Sequence, residues 1–125
     1  MPRAPHILLV DDNEQNLELL EAFLEELDAS ISVAQDGMEA LASVKRDPPD
    51  LILLDIMMPR MSGYQLCQKL KAEPATRSIP VVMVTALNEV ADMERARDCG
   101  AEGFLTKPVH KPDLIAKVRE MLRLS

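Results

Sequence analysis

The sequence contains few aromatic residues, only two cysteines and no long apolar run. One tyrosine, two phenylalanines and no tryptophan provide too few rings for the stacking platforms that bind single-stranded nucleic acid. Cys67 and Cys99 match no zinc-binding spacing, so we expect two reduced thiols. The apolar stretch after the first six residues ends at Asp11, which is too short for a signal peptide, and no later stretch could span a membrane. We therefore expect a cytoplasmic protein without membrane association.

An excess of positive charge is also absent. The chain has 14 Lys and Arg against 21 Asp and Glu, a net charge of -7, whereas nucleic acids bind to basic surfaces. We therefore expect no direct nucleic-acid partner, and the charge suits a site that collects carboxylates around a cation. The length of 125 residues fits one domain, residues 1–125, and the 47% hydrophobic content supplies its core.

Short apolar runs typical of buried strands alternate five times with amphipathic stretches typical of helices. Strands are predicted over residues 6–10, 30–34, 51–54, 80–85 and 103–106, and helices over 14–27, 38–45, 62–72 with its cap at Ser62, 89–99 and 111–123. This order predicts an α/β fold in which helices cover both faces of a five-stranded parallel sheet. The crossovers between strands should be right-handed.

Acidic residues follow two of the predicted strands. Asp11 and Asp12 come directly after the first strand, and Asp55 comes directly after the third. If these strands are neighbours, the three carboxylates meet in the crevice outside the carboxyl ends of the sheet. Their repulsion calls for a small hard cation, and Mg²⁺ fits best because it needs few carboxylates and accepts phosphate oxygens. Taken alone, Asp11 and Asp12 could equally form a helix cap, and Asp55 a turn.

Two further polar residues end the remaining strands on the same side. Thr85 ends the fourth strand and offers a hydroxyl donor, and Lys107 follows the fifth and offers a compact positive charge. Each of them alone is more often an ordinary strand or surface residue. The functional signal is the combination of acids, hydroxyl and amine at successive strand ends.

This arrangement resembles the receiver domain of two-component response regulators along essentially the whole chain. The matching segments are Ile7–Asn13, Leu53–Pro59 with Ser62–Gly63, Val84–Ala86 and Phe104–Pro108. The resemblance implies a flavodoxin-like sheet with the strand order 2-1-3-4-5. It also implies a phosphoacceptor that receives its phosphoryl group from a sensor histidine kinase or a phosphotransfer protein.

The resemblance assigns a role to each residue of the site. Asp55 is the phosphoacceptor, Asp12 binds Mg²⁺ directly, and Asp11 binds it mainly through water. Asp55 and the backbone carbonyl of Met57 complete the metal ligands. Lys107 pairs with the acids and then with the phosphoryl group.

The resemblance also implies a switch. The hydroxyl of Thr85 moves toward the phosphoryl group, and the ring of Phe104 rotates into the space behind it. The Lys107–Pro108 peptide bond is expected to be cis. Met57 and Leu87 are apolar at positions that influence hydrolysis in this family, and neither can orient a water molecule. We therefore expect phosphoryl transfer to Asp55 and slow autodephosphorylation, without turnover of other substrates.

The partners expected from the resemblance are a kinase and a downstream effector or fused output domain. The resemblance is strongest to receivers that stand alone or are joined to cyclic-dinucleotide synthases. A phosphorylation-dependent homodimer is a further option, although Gly103 replaces an acid often used in dimers of transcription-factor receivers.

Two other functions remain open at this point. One is an aspartate-nucleophile phosphatase, although the Asp11–Asn13 segment does not follow the usual D-x-D pattern of those enzymes. The other is a degenerate receiver that acts only as a binding module.

Overall fold

The computed structural model describes residues 4–86 and 89–123. Strands and helices alternate along the chain: β1 His6–Val10, α1 Glu14–Leu24, β2 Ser30–Ala34, α2 Gly37–Arg46, β3 Leu51–Leu54, α3 Gly63–Ala72, β4 Val81–Thr85, α4 Val90–Asp98, β5 Gly103–Thr106 and α5 Lys111–Leu122. The five strands are parallel and lie in the order β2-β1-β3-β4-β5. The predicted fold class and strand order are therefore confirmed.

The three inner strands are the most apolar and the most deeply buried. Every residue of β1, β3 and β4 is buried, whereas the edge strands β2 and β5 are partly exposed. Parallel strands with helices on both faces have no solvent-facing side, which explains their nearly continuous apolar runs. Two separate clusters of apolar side chains, one on each face of the sheet, form the core.

Three helices begin at residues that cap them. Asn13, Asp36 and Ser62 each accept a hydrogen bond from the backbone N–H three residues further on. These side chains satisfy backbone donors that have no partner within the first helical turn. The caps fix where α1, α2 and α3 leave the loops at the carboxyl edge of the sheet.

The first helix is shorter than predicted. The apolar spacing predicted a helix over residues 14–27, but α1 ends at Leu24. Leu27 lies beyond the end of the helix but is only 6% exposed, and it packs into the same core cluster as the apolar residues of α1. The spacing of apolar residues indicates which side chains are buried, and here a buried side chain follows the last helical turn. The predicted helix was therefore too long. The other predicted boundaries differ from the structure by at most one residue. Among the described helices, none is long and apolar enough to cross a membrane.

Candidate functional site

The carboxyl ends of β1 and β3 bring three acidic side chains together. Val10 and Leu54 are partners in the pairing of β1 with β3, so Asp11 and Asp55 leave the sheet side by side. Oxygen atoms of Asp11, Asp12 and Asp55 all lie within 4.8 Å of one another. Asp11 and Asp55 are 2% and 6% exposed, whereas Asp12 is exposed. The predicted meeting of the three carboxylates is therefore observed.

The carboxylate of Asp11 is held in place from two sides. It accepts hydrogen bonds from the backbone N–H of Asn13, at 2.9 Å, and from the side-chain amide of Asn16, at 3.3 Å. Lys107 Nζ approaches it to 2.8 Å from the end of β5. Asp11 is therefore a fixed centre of the cluster, and the exposed Asp12 is the more accessible acid.

Lys107 joins the two buried acids. Its Nζ is 2.8 Å from Asp11 Oδ2 and 3.4 Å from Asp55 Oδ2. Burial lowers the pKa of Lys107, but the hydrogen bond to Asp11 and the charges of Asp55 and Asp11 outweigh it, so the pKa is raised overall. The amine is thus held in its charged form between the carboxylates.

The pKa of Asp55 is raised even though Lys107 is its neighbour. Burial is the largest cause, the positive charge of Lys107 acts against it, and the negative charge of Asp11 raises the pKa further. One ammonium group therefore does not compensate for burial and for the neighbouring acid.

These residues fit a magnesium ion chemically. Three carboxylates face a single ammonium group, and an added divalent cation would bring the cluster to neutrality. Carboxylate oxygens are the hard ligands that Mg²⁺ prefers. Met57 is next to this set, because its backbone N–H donates to Asp55 Oδ1 at 3.3 Å, and its side chain is 59% exposed.

Thr85 is the last residue of β4, and Lys107 directly follows the adjacent strand β5 at the same edge of the sheet. Thr85 is fully buried, and its backbone carbonyl accepts a hydrogen bond of 2.8 Å from the Lys107 N–H. The Lys107–Pro108 bond is cis, as predicted. Phe104 is partly buried and packs against the core cluster on one face of the sheet. Leu87, the second residue expected to influence hydrolysis, lies outside the described residues.

Sequence reasoning missed a cleft that opens beside the acids. The cleft has a volume of about 490 Å³ and lies between the β3–α3 loop and α4, with the lining residues Asp12, Ile56, Met57, Met58, Pro59, Ser62, Tyr64 and Arg95. In the sequence, Arg95 is one of several charged residues of its helix, and Tyr64 shows no feature beyond the apolar pattern of its own helix. Neither residue could be linked to the site before the positions of α3 and α4 were known.

Comparisons with known proteins agree with this geometry. A family model described as the response regulator receiver domain matches residues 7–119. The response regulator PleD of Caulobacter vibrioides is 50% identical over 117 residues, which cover 94% of this chain and 26% of PleD. The transcriptional regulator RpaA of Synechocystis is 38% identical over 119 residues, which cover 95% of this chain and 49% of RpaA. The chain thus spans between a quarter and a half of the length of these relatives.

Solved structures show the same similarity. A putative response regulator from Chloroflexus aurantiacus has a TM-score of 0.93 and 29% identity, with 97% of this chain and 99% of that chain covered. The receiver domain of the sensor histidine kinase PA1611 from Pseudomonas aeruginosa, solved with magnesium in its active-site cleft, has a TM-score of 0.88 and 29% identity, with coverage of 97% and 99%. The family match along nearly the whole chain, together with the acids and the lysine at one sheet edge, shows that this chain belongs to the response regulator receiver domains, the signalling modules of two-component systems.

Proposed function

We propose that residues 1–125 form a single receiver domain that accepts a phosphoryl group on Asp55. The observation that carries this proposal is the contact of Lys107 with both Asp11 and Asp55 at one edge of the sheet. A carboxylate is a competent nucleophile toward phosphorus, and phosphoryl transfer depends mainly on alignment and charge neutralisation. The buried acids and the lysine offer both.

The proposed donor is a phosphohistidine on a sensor histidine kinase or a phosphotransfer protein. An oxygen of Asp55 attacks the phosphorus, and the new O–P bond forms as the N–P bond of the donor breaks. The imidazole nitrogen keeps the electron pair and takes up a proton. Lys107 then pairs with the phosphoryl oxygens. The reaction modifies the chain itself, so we propose no turnover of other substrates beyond slow hydrolysis of this acyl phosphate.

We propose that Asp11, Asp12, Asp55 and the backbone carbonyl of Met57 hold Mg²⁺, Asp12 directly and Asp11 mainly through water. Bound Mg²⁺ supplies positive charge that offsets repulsion between the carboxylates and the incoming phosphoryl oxygens. The chemistry of the carboxylate set supports this assignment. The magnesium ion in the related PA1611 receiver supports it as well.

The proposed output is a shift between two arrangements of the same fold. The Thr85 hydroxyl donates to the phosphoryl group, and Phe104 moves into the space that Thr85 leaves. The readers of this change are a downstream effector, an output domain on the same polypeptide, or a second receiver in a phosphorylation-dependent homodimer. RpaA is described as DNA-binding, but this chain covers 49% of it and has a net charge of -7. We therefore propose that this domain, in the cytoplasm, signals without binding nucleic acid itself.

The decisive experiment is to incubate the chain with phosphoramidate and Mg²⁺ and to locate the added mass by mass spectrometry. We expect one phosphoryl group on Asp55, no modification of Asp55→Ala, and normal modification of Asp47→Ala, which removes an exposed acid outside the cluster. A folded chain that is never modified, or is modified elsewhere, would contradict the proposal. Repeated turnover of a phosphomonoester would favour the phosphatase instead.

A further inference from the structure

The first turn of α3 is packed directly against the phosphoacceptor loop. A Cβ atom on Gly63 would lie 2.4 Å from the backbone oxygen of Asp55, so no larger residue fits without movement of the backbone. The Gly63 N–H also donates to the Ile56 carbonyl at 2.9 Å. The backbone of the next residue, Tyr64, is therefore tied closely to the segment that carries Asp55.

The side chain of Tyr64 reaches in the other direction, to α4. Its hydroxyl donates to the backbone carbonyl of Asp92 at 3.2 Å, and the guanidinium of Arg95 lies 4.2 Å from the centre of its ring. Tyr64 is only 4% exposed, and burial raises the pKa of its phenol, so most of the ring is shielded from water. Asp92 and Arg95 are about one helical turn apart, so Tyr64 contacts two residues on the same side of α4.

Helix α4 has few other means of attachment. Ala96 is its one buried residue, while Val90 and Met93 are 70% and 43% exposed. A helix with so little buried apolar surface gains little from the hydrophobic effect. At its C-terminal end α4 is also tied to α3, because the Cys67 thiol donates to the carbonyl of the buried cap residue Cys99 at 3.4 Å. The hydrogen bond and the stacked arginine at Tyr64 hold the middle of α4 against α3.

We propose that Tyr64 is a positioning residue that couples the Asp55 loop to α4. A ligand that binds the acids orders the Asp55 loop and thereby stabilises the packing of α4. Because the coupling is reciprocal, the packing of α4 in turn raises the affinity of the acids for that ligand. This inference rests on the proposed function, because it requires that the acids bind Mg²⁺. It adds a residue and a helix that act on the site from outside it.

The first test measures Mg²⁺ affinity by calorimetry. Tyr64→Phe keeps the ring and removes the hydrogen bond to Asp92, and we expect its Mg²⁺ affinity to be about threefold lower, within the range of one lost hydrogen bond. Arg95→Ala should lower the affinity by about twofold to fivefold. Arg97→Ala is the matched control, because it removes an exposed arginine of the same helix, whereas among the described residues it is Arg95 that stacks on the Tyr64 ring.

The second test follows the coupling from the side of the helix. Mg²⁺ should slow amide hydrogen exchange in α4 of the unmodified sequence, and this slowing should be lost in Tyr64→Phe. Tyr64 is the only tyrosine, and the chain has no tryptophan, so tyrosine emission reports this ring alone. We expect acrylamide to quench that emission more strongly in Arg95→Ala and less strongly after Mg²⁺ is added.

The outcomes separate the coupling from the proposed function. If the chain binds no Mg²⁺, or binds it equally well after Asp12→Asn, the metal site itself is wrong. If binding depends on Asp12 but Tyr64→Phe and Arg95→Ala bind Mg²⁺ as the unmodified sequence does, the coupling is wrong. A lower melting temperature with unchanged Mg²⁺ affinity and unchanged exchange in α4 would mean that Tyr64 serves stability only.

Discussion

Burial and the positive charge of Lys107 act in opposite directions on the pKa of the Asp55 carboxyl group. Burial and the neighbouring Asp11 raise its pKa, while Lys107 lowers it, and the net result lies above the ordinary value of 3.8. The folded chain therefore holds this proton more tightly than the unfolded chain does. As the pH rises from 3.8 through the raised pKa, the folded state loses stability relative to the unfolded state. Ionisation of Asp55 is thus a cost to the stability of the folded state.

The first prediction follows from the upward direction of the Asp55 pKa shift. In EDTA, Asp55→Asn should have a larger free energy of unfolding than the unmodified sequence at pH 7, because it removes the cost of ionising a buried acid. The advantage should shrink as the pH falls through the raised pKa toward 3.8. Urea denaturation at a series of pH values measures both quantities. An advantage that stays constant or grows on acidification would contradict the assigned pKa direction.

A second prediction at this scale concerns the lifetime of the modification. Met57 is 59% exposed and has no group that can orient a water molecule, so Met57→Asn should change the site without disturbing the core. An amide that orients the attacking water should speed phosphate loss by about threefold to tenfold. The rate can be followed by mass spectrometry after the donor is removed. Met38→Asn, a change of another exposed methionine, is the control; an unchanged or slower rate in Met57→Asn would count against the prediction.

At the scale of the elements, the starts of the helices determine how closely the loops approach the sheet. Gly37 and Gly63 are each the first residue of a helix, α2 and α3. A Cβ on Gly37 would meet the Met61 side chain at 2.5 Å, whereas one on Gly63 would meet the Asp55 backbone oxygen at 2.4 Å. A flexible methionine can move aside, but a backbone in the middle of the site cannot.

This difference gives a paired prediction. Gly63→Ala should lower the free energy of unfolding by about 1–3 kcal/mol, the usual cost of overpacking. Gly37→Ala should cost less, because the obstruction there is a side chain. Both substitutions replace glycine by alanine at the same helix position, so differences in helix propensity cancel. Chemical denaturation at neutral pH measures the two values, and an equal loss in both variants would show that backbone contact at Gly63 is unimportant.

At the scale of the whole molecule, folding brings negatively charged side chains close together at one edge of the sheet. The chain already carries a net charge of -7, and the sheet brings Asp11, Asp12 and Asp55 within 4.8 Å of one another. Asp55, after the third strand, is 43 residues from Asp12 and 44 residues from Asp11 in the sequence. An unfolded chain therefore has no comparable cluster, and a cation that binds the cluster should favour the folded state.

Mg²⁺ should accordingly stabilise the protein as a whole. At a concentration one hundred times the dissociation constant, the free energy of unfolding should rise by about 2.7 kcal/mol. Asp12→Asn should remove most of this gain and should be the more stable protein in EDTA, because one like charge is gone. Thermal unfolding with Mg²⁺, with EDTA and with NaCl at matched ionic strength measures the effect. Equal stabilisation by NaCl would mean that general screening, not a site, is responsible.

Much of the fold was predictable because its causes are local. Continuous apolar runs mark strands buried on both faces, and capping residues such as Ser62 mark where helices begin. The polar residues at the strand ends could be predicted as a group, because parallel strands all end at the same edge. Their residue types predicted a cation site at this edge, whereas the phosphoacceptor role of Asp55 came from the resemblance to receiver domains and stays a prediction.

Other features depend on how elements far apart in sequence pack together. The sequence determined which residues enter the core and which stand at the carboxyl edge, because both follow from short-range patterns. Only the tertiary structure decided that Leu27 is buried outside its helix and that Tyr64 joins α3 to Arg95 on α4. Those contacts depend on the separation and orientation of whole helices and strands, and no local pattern encodes a distance between two elements.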